Sequence, residues 1–231
     1  MSQSNIYTIS CPQCQASADV ELYDSVNIQT DPVLRSALME NQLNAVTCED
    51  CGHAYRIDKP LLYSDPDRRM LIYWIPTADG DHEKGEESFR GMVSQMTQIM
   101  PEDVGLPEIH LVFTRTELVE RIFMREAGLD ERIIEYIKYM ILVKNIEQVS
   151  PRDKVLLFNA EDSNETSLCF VVQNLETRQL ETVIEYSREA YKGICEMFDQ
   201  DDQTATLLEM FPGPRISARS LLLQESELQD P

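Results

Sequence analysis

Cys11-Pro12-Gln13-Cys14 and Cys48-Glu49-Asp50-Cys51-Gly52 are the two stretches of this sequence that decide its fold. Each Cys-x-x-Cys turn can present two thiolates to one metal ion, and two such turns complete a tetrahedral shell of four sulfurs. Zinc favours this soft ligand set, and a shell without an open position is typical of a structural ion. The motifs predict one structural zinc ion bound by Cys11, Cys14, Cys48 and Cys51, with two unrelated pairs of reduced thiols as the alternative.

The residues flanking the two cysteine turns support this interpretation. Pro12 fixes φ inside the first turn, and Gly52 follows the second, where a sharply turning backbone often needs a positive φ. His53 lies two residues after Cys51 and has three possible roles: it could replace a thiolate, donate to a sulfur or be exposed. Because four cysteines are available, we expect it not to be a ligand.

The 33 residues between Cys14 and Cys48 predict a small inserted subdomain, because compact four-cysteine modules have roughly 15 to 20 residues there. Alternating apolar residues favour a strand or hairpin at Val20, Leu22, Val26 and Ile28. Asp31-Pro32 indicates a helix start with Asp31 as N-cap. Its apolar face would comprise Val33, Leu34, Ala37 and Leu38, and Asn41 and Asn44 would end it.

Several separated motifs resemble the CpXC family of bacterial and archaeal proteins, named for paired Cys-Pro-x-Cys motifs. They are the CPQC turn, the helix ending in Gln42-Leu43-Asn44, the CEDCG turn and residues 60–65, 117–122 and 127–132. The resemblance covers about residues 8–145. The second turn has Glu49 where the family name implies proline, which removes no ligand. The resemblance implies a fold and a zinc site, and no reaction.

The composition is that of a soluble globular protein with a strong acidic excess. Its 20 Lys and Arg residues against 41 Asp and Glu give a net charge of −21. Because non-specific nucleic-acid binding comes from cations that neutralise phosphates, we expect no binding to nucleic acid or to anionic membranes. Residues 1–5 do not resemble a signal peptide, and six cysteines without an export signal indicate reduced thiols in the cytoplasm.

Downstream of the cysteine turns, apolar runs predict strands at Met70–Ile75 and Ile109–Phe113. Residues 77–88 have no apolar anchor and are expected to form a mobile acidic loop. Helical spacing then predicts a helix from Phe89 to Met100, stopped by Pro101. Its methionines are expected to pack in the core, with an adaptable partner groove as the alternative.

A helical hairpin is predicted next. Thr114 and Glu117 match a capping box, Gly128 followed by Leu129 matches a Schellman stop, and Asp130 would cap the second helix. That second helix, Asp130 to Asn145, is apolar nearly all round. It is either a central core helix or part of a homodimer interface.

Ser150-Pro151 opens a smaller C-terminal unit, so the predicted domains are 1–149, with the zinc site and the hairpin, and 150–231. Strands at Val155–Phe158 and Leu168–Val172 would flank a polar hairpin loop. A helix with its buried stripe running from Val183 to Phe198 would follow. Cys169 and Cys195 are interpreted as small buried apolar residues and not as ligands.

These patterns predict an α+β protein: a four-cysteine zinc-ribbon-like module with an inserted strand and helix, a helical hairpin and a smaller C-terminal α+β unit. The three histidines have no recognisable arrangement with a nucleophile, and phosphate-loop and H-E-x-x-H motifs are absent, so we expect no enzymatic activity. Two functions remain. The first is a non-catalytic interaction or scaffold module whose partner is another protein. The alternative is a thiol redox switch that releases zinc on oxidation.

Overall fold

A computed structural model describes residues 1–77, 82–99 and 108–229 of the chain. These residues form two compact units, Met1–Leu118 and Val119–Pro231, and the division falls inside the helix Arg115–Glu126. The combination of helices and sheets confirms the predicted α+β class. In the described part of the chain, no helix has the length and apolar content needed to cross a membrane.

The first unit is built on one five-stranded sheet and one small hairpin. In chain order its elements are β1 (Gln3–Ser10), β2 (Ser17–Asn27), α1 (Val33–Met39), β3 (Ala45–Thr47), β4 (Ala54–Arg56), β5 (Leu61–Asp65), β6 (Met70–Trp74), α2 (His82–Ile99) and β7 (Glu108–Val112). The large sheet has the order β1-β2-β5-β6-β7, and β3 pairs with β4. The β2–β5 and β6–β7 pairs are parallel, and the other pairs are antiparallel.

Both faces of the large sheet are buried near its centre, and successive residues of β6 point to opposite faces. Ile72 lies on one face and is fully buried. On the other face, α2 covers an apolar cluster of Leu71, Ile75, Phe89, Ile109, Leu111 and Phe113. Met92 and Met96 of α2 pack against this cluster, as expected for methionines of the core. The strands predicted at residues 70–75 and 109–113 are therefore confirmed.

The acidic loop predicted at residues 77–88 is wrong for its second half, because α2 begins at His82. Residues 78–81, Met100 and Pro101 lie outside the described residues. The tertiary contacts explain the longer helix. The His82 ring stacks on Phe113 at a centroid distance of 4.6 Å. A Cβ atom at Gly85 would lie only 2.5 Å from the same Phe113 ring, so a larger residue at this position would require the ring or the helix to shift.

The predicted N-cap of α1 is also wrong. Pro32 occupies the cap position without a side-chain cap. The carboxylate of Asp31 instead accepts hydrogen bonds from the backbone N–H of Ser2 at 3.2 Å and the hydroxyl of Thr30 at 2.7 Å. Val33, predicted to lie on the apolar face, is 73% exposed.

The end of α1 agrees with the sequence. Asn41 and Asn44 have φ values of 65° and 58° beyond the last helical residue. Both values are in the left-handed region, which asparagine tolerates better than most residues. The guanidinium of Arg115 donates to the carbonyls of Leu38 and Met39, and so satisfies acceptors that the helix end leaves without an intrahelical donor.

The second unit packs helices against a three-stranded antiparallel sheet. After the rest of α3 (Arg115–Glu126), its elements are α4 (Glu131–Lys144), β8 (Lys154–Asn159), β9 (Ser167–Asn174), β10 (Leu180–Ser187), α5 (Arg188–Phe198), α6 (Asp201–Met210) and α7 (Ala218–Gln229). The sheet order is β10-β9-β8. The hairpin predicted around residues 155–172 is β8 and β9.

The helical hairpin of α3 and α4 has the three predicted local signals, one at the start of α3 and two in the turn between the helices. The Thr114 hydroxyl accepts from the N–H of Glu117 at 3.1 Å, and the Glu117 carboxylate accepts from the N–H of Thr114 at 3.1 Å. Gly128 has φ +67°, and the N–H of Leu129 donates to the carbonyl of Met124 in the Schellman pattern. Asp130 caps α4 by accepting from the N–H of Ile133 at 3.0 Å.

The core of the second unit combines α4 with elements on both sides of residue 150. Ile134 and Ile137 of α4 are fully buried, and they share one cluster with Phe158, Phe170 and Phe211. The predicted boundary between residues 149 and 150 therefore differs from the division of the structure, because residues 119–149 and the C-terminal region bury one common set of side chains.

The helix predicted from Val183 onward begins later. Val183 and Ile184 belong to β10, which pairs with β9, and α5 starts after the N-cap Ser187. Val183 is 53% exposed, so it is not part of a buried stripe. β-Branched side chains at consecutive positions favour a strand once a neighbouring strand is present.

Five charged side chains are buried in the second unit, Glu120, Arg121, Glu131, Glu135 and Lys138, and all except Glu131 form one group. The ammonium of Lys138 lies 2.6 Å from Glu120 and 2.9 Å from Glu135, and Arg121 lies 3.3 Å from Glu135. Burial alone would lower the pKa of Lys138, but Glu120 and Glu135 outweigh it and raise that pKa. Burial would raise the pKa of Glu135, yet Lys138 and Arg121 hold it below its usual value. The pKa of Glu120 is raised, because burial and the neighbouring Glu135 outweigh the attraction of Lys138. The shifts of Lys138 and Glu135 favour opposite charges on these two side chains at neutral pH.

The contribution of the Schellman glycine can be measured with two alanine substitutions. A Cβ atom would meet nothing within 4 Å at Gly128 or at Gly193, so only backbone conformation differs between the two sites. We expect Gly128→Ala to reduce the free energy of unfolding by about 1 kcal/mol, because alanine is strained at a positive φ. Gly193→Ala, inside α5, should increase it by about 0.5 to 1 kcal/mol. Urea unfolding followed by circular dichroism measures both, and the same sign for both variants would contradict this account.

The buried charges give a second stability prediction. Lys138→Met should reduce the free energy of unfolding by about 3 to 5 kcal/mol, because it leaves buried carboxylates without their common cation. Lys144→Met, on the exposed side of the same helix, should change it by less than about 0.5 kcal/mol. Equal effects of the two substitutions in urea unfolding would show that the buried cation is not needed.

Candidate metal centre

The two cysteine turns connect the strands of two hairpins with the same geometry. The first turn joins β1 to β2 beyond the pair Ser10–Ser17, and the second joins β3 to β4 beyond the pair Thr47–Ala54. In the first turn, the N–H of Cys11 donates to the carbonyl of Ala16, and the N–H of Gln15 donates to the carbonyl of Cys11. The second turn repeats both bonds, from Cys48 to His53 and from Gly52 to Cys48. Two distant segments therefore fold into equivalent knuckles.

Each knuckle reverses direction through one residue with a positive φ. Gly52 has φ +71°, as its place after the second Cys-x-x-Cys motif predicted. Gln15 occupies the equivalent place in the first knuckle with φ +64°. The residue type of Gln15 does not indicate this conformation, because residues other than glycine and asparagine seldom adopt a positive φ.

The four sulfur atoms converge on one point. All four lie within 4.8 Å of one another. The Cys11 and Cys51 sulfurs are 3.7 Å apart, and the Cys14 and Cys48 sulfurs are 3.6 Å apart. A tetrahedron with metal–sulfur bonds of about 2.3 Å has edges of about 3.8 Å, whereas a disulfide bond is about 2.05 Å long. The distances thus fit four ligands around one small cation.

The backbone places N–H donors around these sulfurs. The N–H of Cys14, and then that of Gln13, donate to the Cys11 sulfur and lower the pKa of Cys11 to about 7. The N–H of Ala16 acts on Cys14 in the same direction, but the neighbouring Cys51 thiol and burial outweigh it and raise the pKa of Cys14 to about 12. Cys11 thus loses its proton more easily than Cys14, because a second negative charge beside the first is repelled. A bound divalent cation removes this repulsion, so the donor set fits such an ion.

The site has a buried side and an exposed side. Cys11 and Cys48 are buried, whereas Cys14 and Cys51 are exposed, so each knuckle contributes one sulfur of each kind. His53 lies outside the sulfur cluster, and its ring stacks on Tyr55 at a centroid distance of 5.7 Å. Its backbone N–H donates to the Cys51 sulfur. Of its three possible roles, donation to a sulfur is the one observed, through the main chain.

The other two cysteines lie away from this cluster, in the second unit. Cys169 is 4% exposed in β9, and its thiol donates to the carbonyl of Asp162 at 3.2 Å, as expected for a buried non-ligand residue. Cys195 is half-buried in α5, where burial raises the pKa of its thiol. Neither belongs to a group of three or more potential ligands among the described residues.

Comparison with known proteins identifies the family. The sequence model described as CpXC protein matches residues 9–138, which include both knuckles and reach into α4. A search of curated proteins and a search of solved structures each gave no significant match. The matched region is more than half of the 231 residues and agrees with the resemblance carried by the cysteine turns and the motifs between them. The chain belongs to the CpXC family.

Proposed function

We propose that the protein binds one zinc ion through Cys11, Cys14, Cys48 and Cys51, and that this ion orders the N-terminal module without taking part in catalysis. The convergence of four sulfurs at the edges of a tetrahedron is the observation that supports this function. Four protein ligands would leave no coordination position for a substrate or an activated water. The ion would join two hairpins whose first cysteines are 37 residues apart.

We also propose that the module acts as an interaction or scaffold protein for another protein. The net charge of −21 favours a basic partner surface and disfavours phosphate backbones and anionic lipids. The exposed residues Glu49 and Asp50 bring negative charge to the second knuckle itself. The site therefore suits recognition by cationic side chains, and we place the protein in the cytoplasm, where reduced thiols persist.

The metal proposal is tested by Cys48→Ser. The native protein should contain one zinc ion per chain, and the variant should lose it together with the folded N-terminal module. Structural zinc contributes on the order of 10 kcal/mol to small modules, which is comparable to the whole stability of a typical domain. Elemental analysis and near-ultraviolet circular dichroism are the measurements.

Cys195→Ser is the matched control for loss of a thiol. Its sulfur is half-buried and lies outside the cluster, so the variant should keep the zinc content and the fold of the native protein. A native protein free of metal under reducing conditions, or one that contains iron in place of zinc, would contradict the proposal.

The thiol switch is a second candidate, favoured by the exposure of Cys14 and Cys51. The Cys11–Cys51 and Cys14–Cys48 sulfur–sulfur distances of 3.7 Å and 3.6 Å join different knuckles, so we expect oxidation to give these two disulfides. For each disulfide, one hydrogen peroxide molecule accepts two electrons and two protons from a pair of thiols and becomes two water molecules. Zinc would leave because thiolates are its ligands.

Peroxide treatment separates the two candidates. We expect a structural zinc ion to stay bound in mild peroxide, because the backbone N–H donors and the metal together reduce the nucleophilicity of the sulfurs. A metallochromic dye measures the released zinc, and mass spectrometry maps the disulfides. Release within minutes, reversed by reductant and zinc, would replace the structural function with the switch.

We also propose a homodimer through α4, and this helix has only a small exposed apolar surface for it. Ile134 and Ile137 of α4 are buried within the chain. The exposed apolar residues are Val143, near the C-terminal end of α4, and Ile146, just beyond that end. A dimer through this helix would therefore have to use its C-terminal end.

A further inference from the structure

In the part of the chain that the structure describes, the first strand of the large sheet, β1, has one edge without a partner strand. Among the described residues, β1 pairs with β2 alone and forms the end of the strand order β1-β2-β5-β6-β7. Most residues of β1 are exposed, and Ile6 at its middle is 74% exposed. A strand edge carries unpaired N–H and carbonyl groups, which favour pairing with another strand.

This edge lacks the features that usually prevent strand pairing. From Gln3 to Ser10 the sequence is QSNIYTIS, without a charged residue or a proline. The β10 strand, which is an edge of the second sheet, has Glu181 and Glu185 within its length. Charged residues on an edge strand oppose pairing, so β10 is protected and β1 is not. A register shift between Gln3 and Ser4 affects only the start of β1.

The hydrogen-bond pattern shows which residues face the free edge. The N–H of Cys11 donates to Ala16, one position beyond the register pair Ser10–Ser17. Because bonded and non-bonded pairs alternate in an antiparallel ladder, Ile9, Tyr7 and Asn5 bond to β2. The N–H and carbonyl groups of Ser4, Ile6, Thr8 and Ser10 therefore point away from the sheet.

We propose that β1 pairs antiparallel with β1 of a second copy of this chain across a two-fold axis at Tyr7. This register places Ser4 opposite Ser10 and Ile6 opposite Thr8, so that all four outward-facing residues are bonded. Tyr7 lies opposite its own copy. Its hydroxyl donates to Asp24 at 2.6 Å, and the Lys59 ammonium lies 4.5 Å from its ring centroid, so the side chain is held in place within its own chain and the two rings would meet only through the part that Lys59 leaves uncovered. The strand is self-complementary and contains no like charges.

The acidic residues near β1 do not prevent this pairing. Asp19 and Glu21 lie on β2 and accept hydrogen bonds from Thr8 and Ser4 at 2.6 Å and 2.5 Å. In the paired sheet, the β2 strands of the two copies are three strand spacings apart, or about 14 Å. The carboxylates extend towards β1, so they are closer to the second copy than the β2 backbones are, and physiological salt with a Debye length of about 8 Å screens them in part. Long-range repulsion between two chains of charge −21 remains, so salt should strengthen the association.

Sedimentation of the zinc-loaded full chain tests this interface. The average mass should rise from the 26.6 kDa of one chain towards twice that value between roughly 1 and 100 μM. Higher salt should shift the equilibrium towards the dimer. Ile6→Pro removes an outward-facing N–H and leaves the β1–β2 bonds in place, so it should weaken association at least about tenfold and leave the zinc content unchanged.

Two further variants keep the test independent of folding. Ile6→Lys adds a charge at the same exposed position without affecting any backbone donor, and it should also give a monomer. Val143→Lys changes the exposed end of α4 and should leave the dimer intact. The proposal is overturned by a native monomer at all concentrations, by folded Ile6 variants that still dimerise, or by loss of the dimer in Val143→Lys. A native monomer that binds an added extended peptide at β1 would assign the edge to another partner.

Discussion

The convergence of four thiols is the constraint on which the N-terminal unit depends. Two turns, separated by 33 residues between Cys14 and Cys48, must bring their sulfurs within 4.8 Å of one another. The fold achieves this by ending two hairpins in equivalent knuckles with the same backbone hydrogen bonds and the same positive φ. The side chain of Asn44 bonds to both the N–H and the carbonyl of Tyr23, and so ties the start of the second hairpin to β2. The proposed zinc ion would bind between four sulfurs whose positions are set by the main chain of the two hairpins.

The second unit is organised around a different constraint, the burial of charge. Lys138 lies between Glu120 and Glu135, and the carboxylates also accept backbone N–H groups, from Phe158 and Ala218 respectively. The helical hairpin is thus bonded to β8 and to the start of α7 by groups that cannot be left unpaired in an apolar core. An apolar cluster would stabilise the unit without specifying these connections, whereas each buried carboxylate has one arrangement that satisfies it.

The proposed role in interaction follows from charge and from exposed strand edges more than from the metal. The sulfur cluster has an exposed side with Cys14 and Cys51, and β1 leads directly into the first of its knuckles. Zinc binding and strand pairing at β1 would therefore involve the same hairpin. The turn that carries Cys11 and Cys14 connects β1 to β2. Loss of the metal would therefore be expected to disturb the hairpin and, with it, the free edge of β1.

The sequence by itself determined the features that depend on local chemistry. The knuckle positions follow from cysteine spacing, and the capping box at Thr114, the Schellman turn at Gly128 and the cap at Asp130 follow from residue types a few positions apart. Tertiary structure decided what depends on distant partners. Helix α2 begins at His82 because Phe113 stacks there, Val183 is in a strand because β9 lies beside it, and Asp31 bonds to Ser2 and leaves α1 uncapped. The equivalence of Gln15 and Gly52, the buried charges and the free edge of β1 are likewise invisible in sequence, because each depends on which segments meet in space.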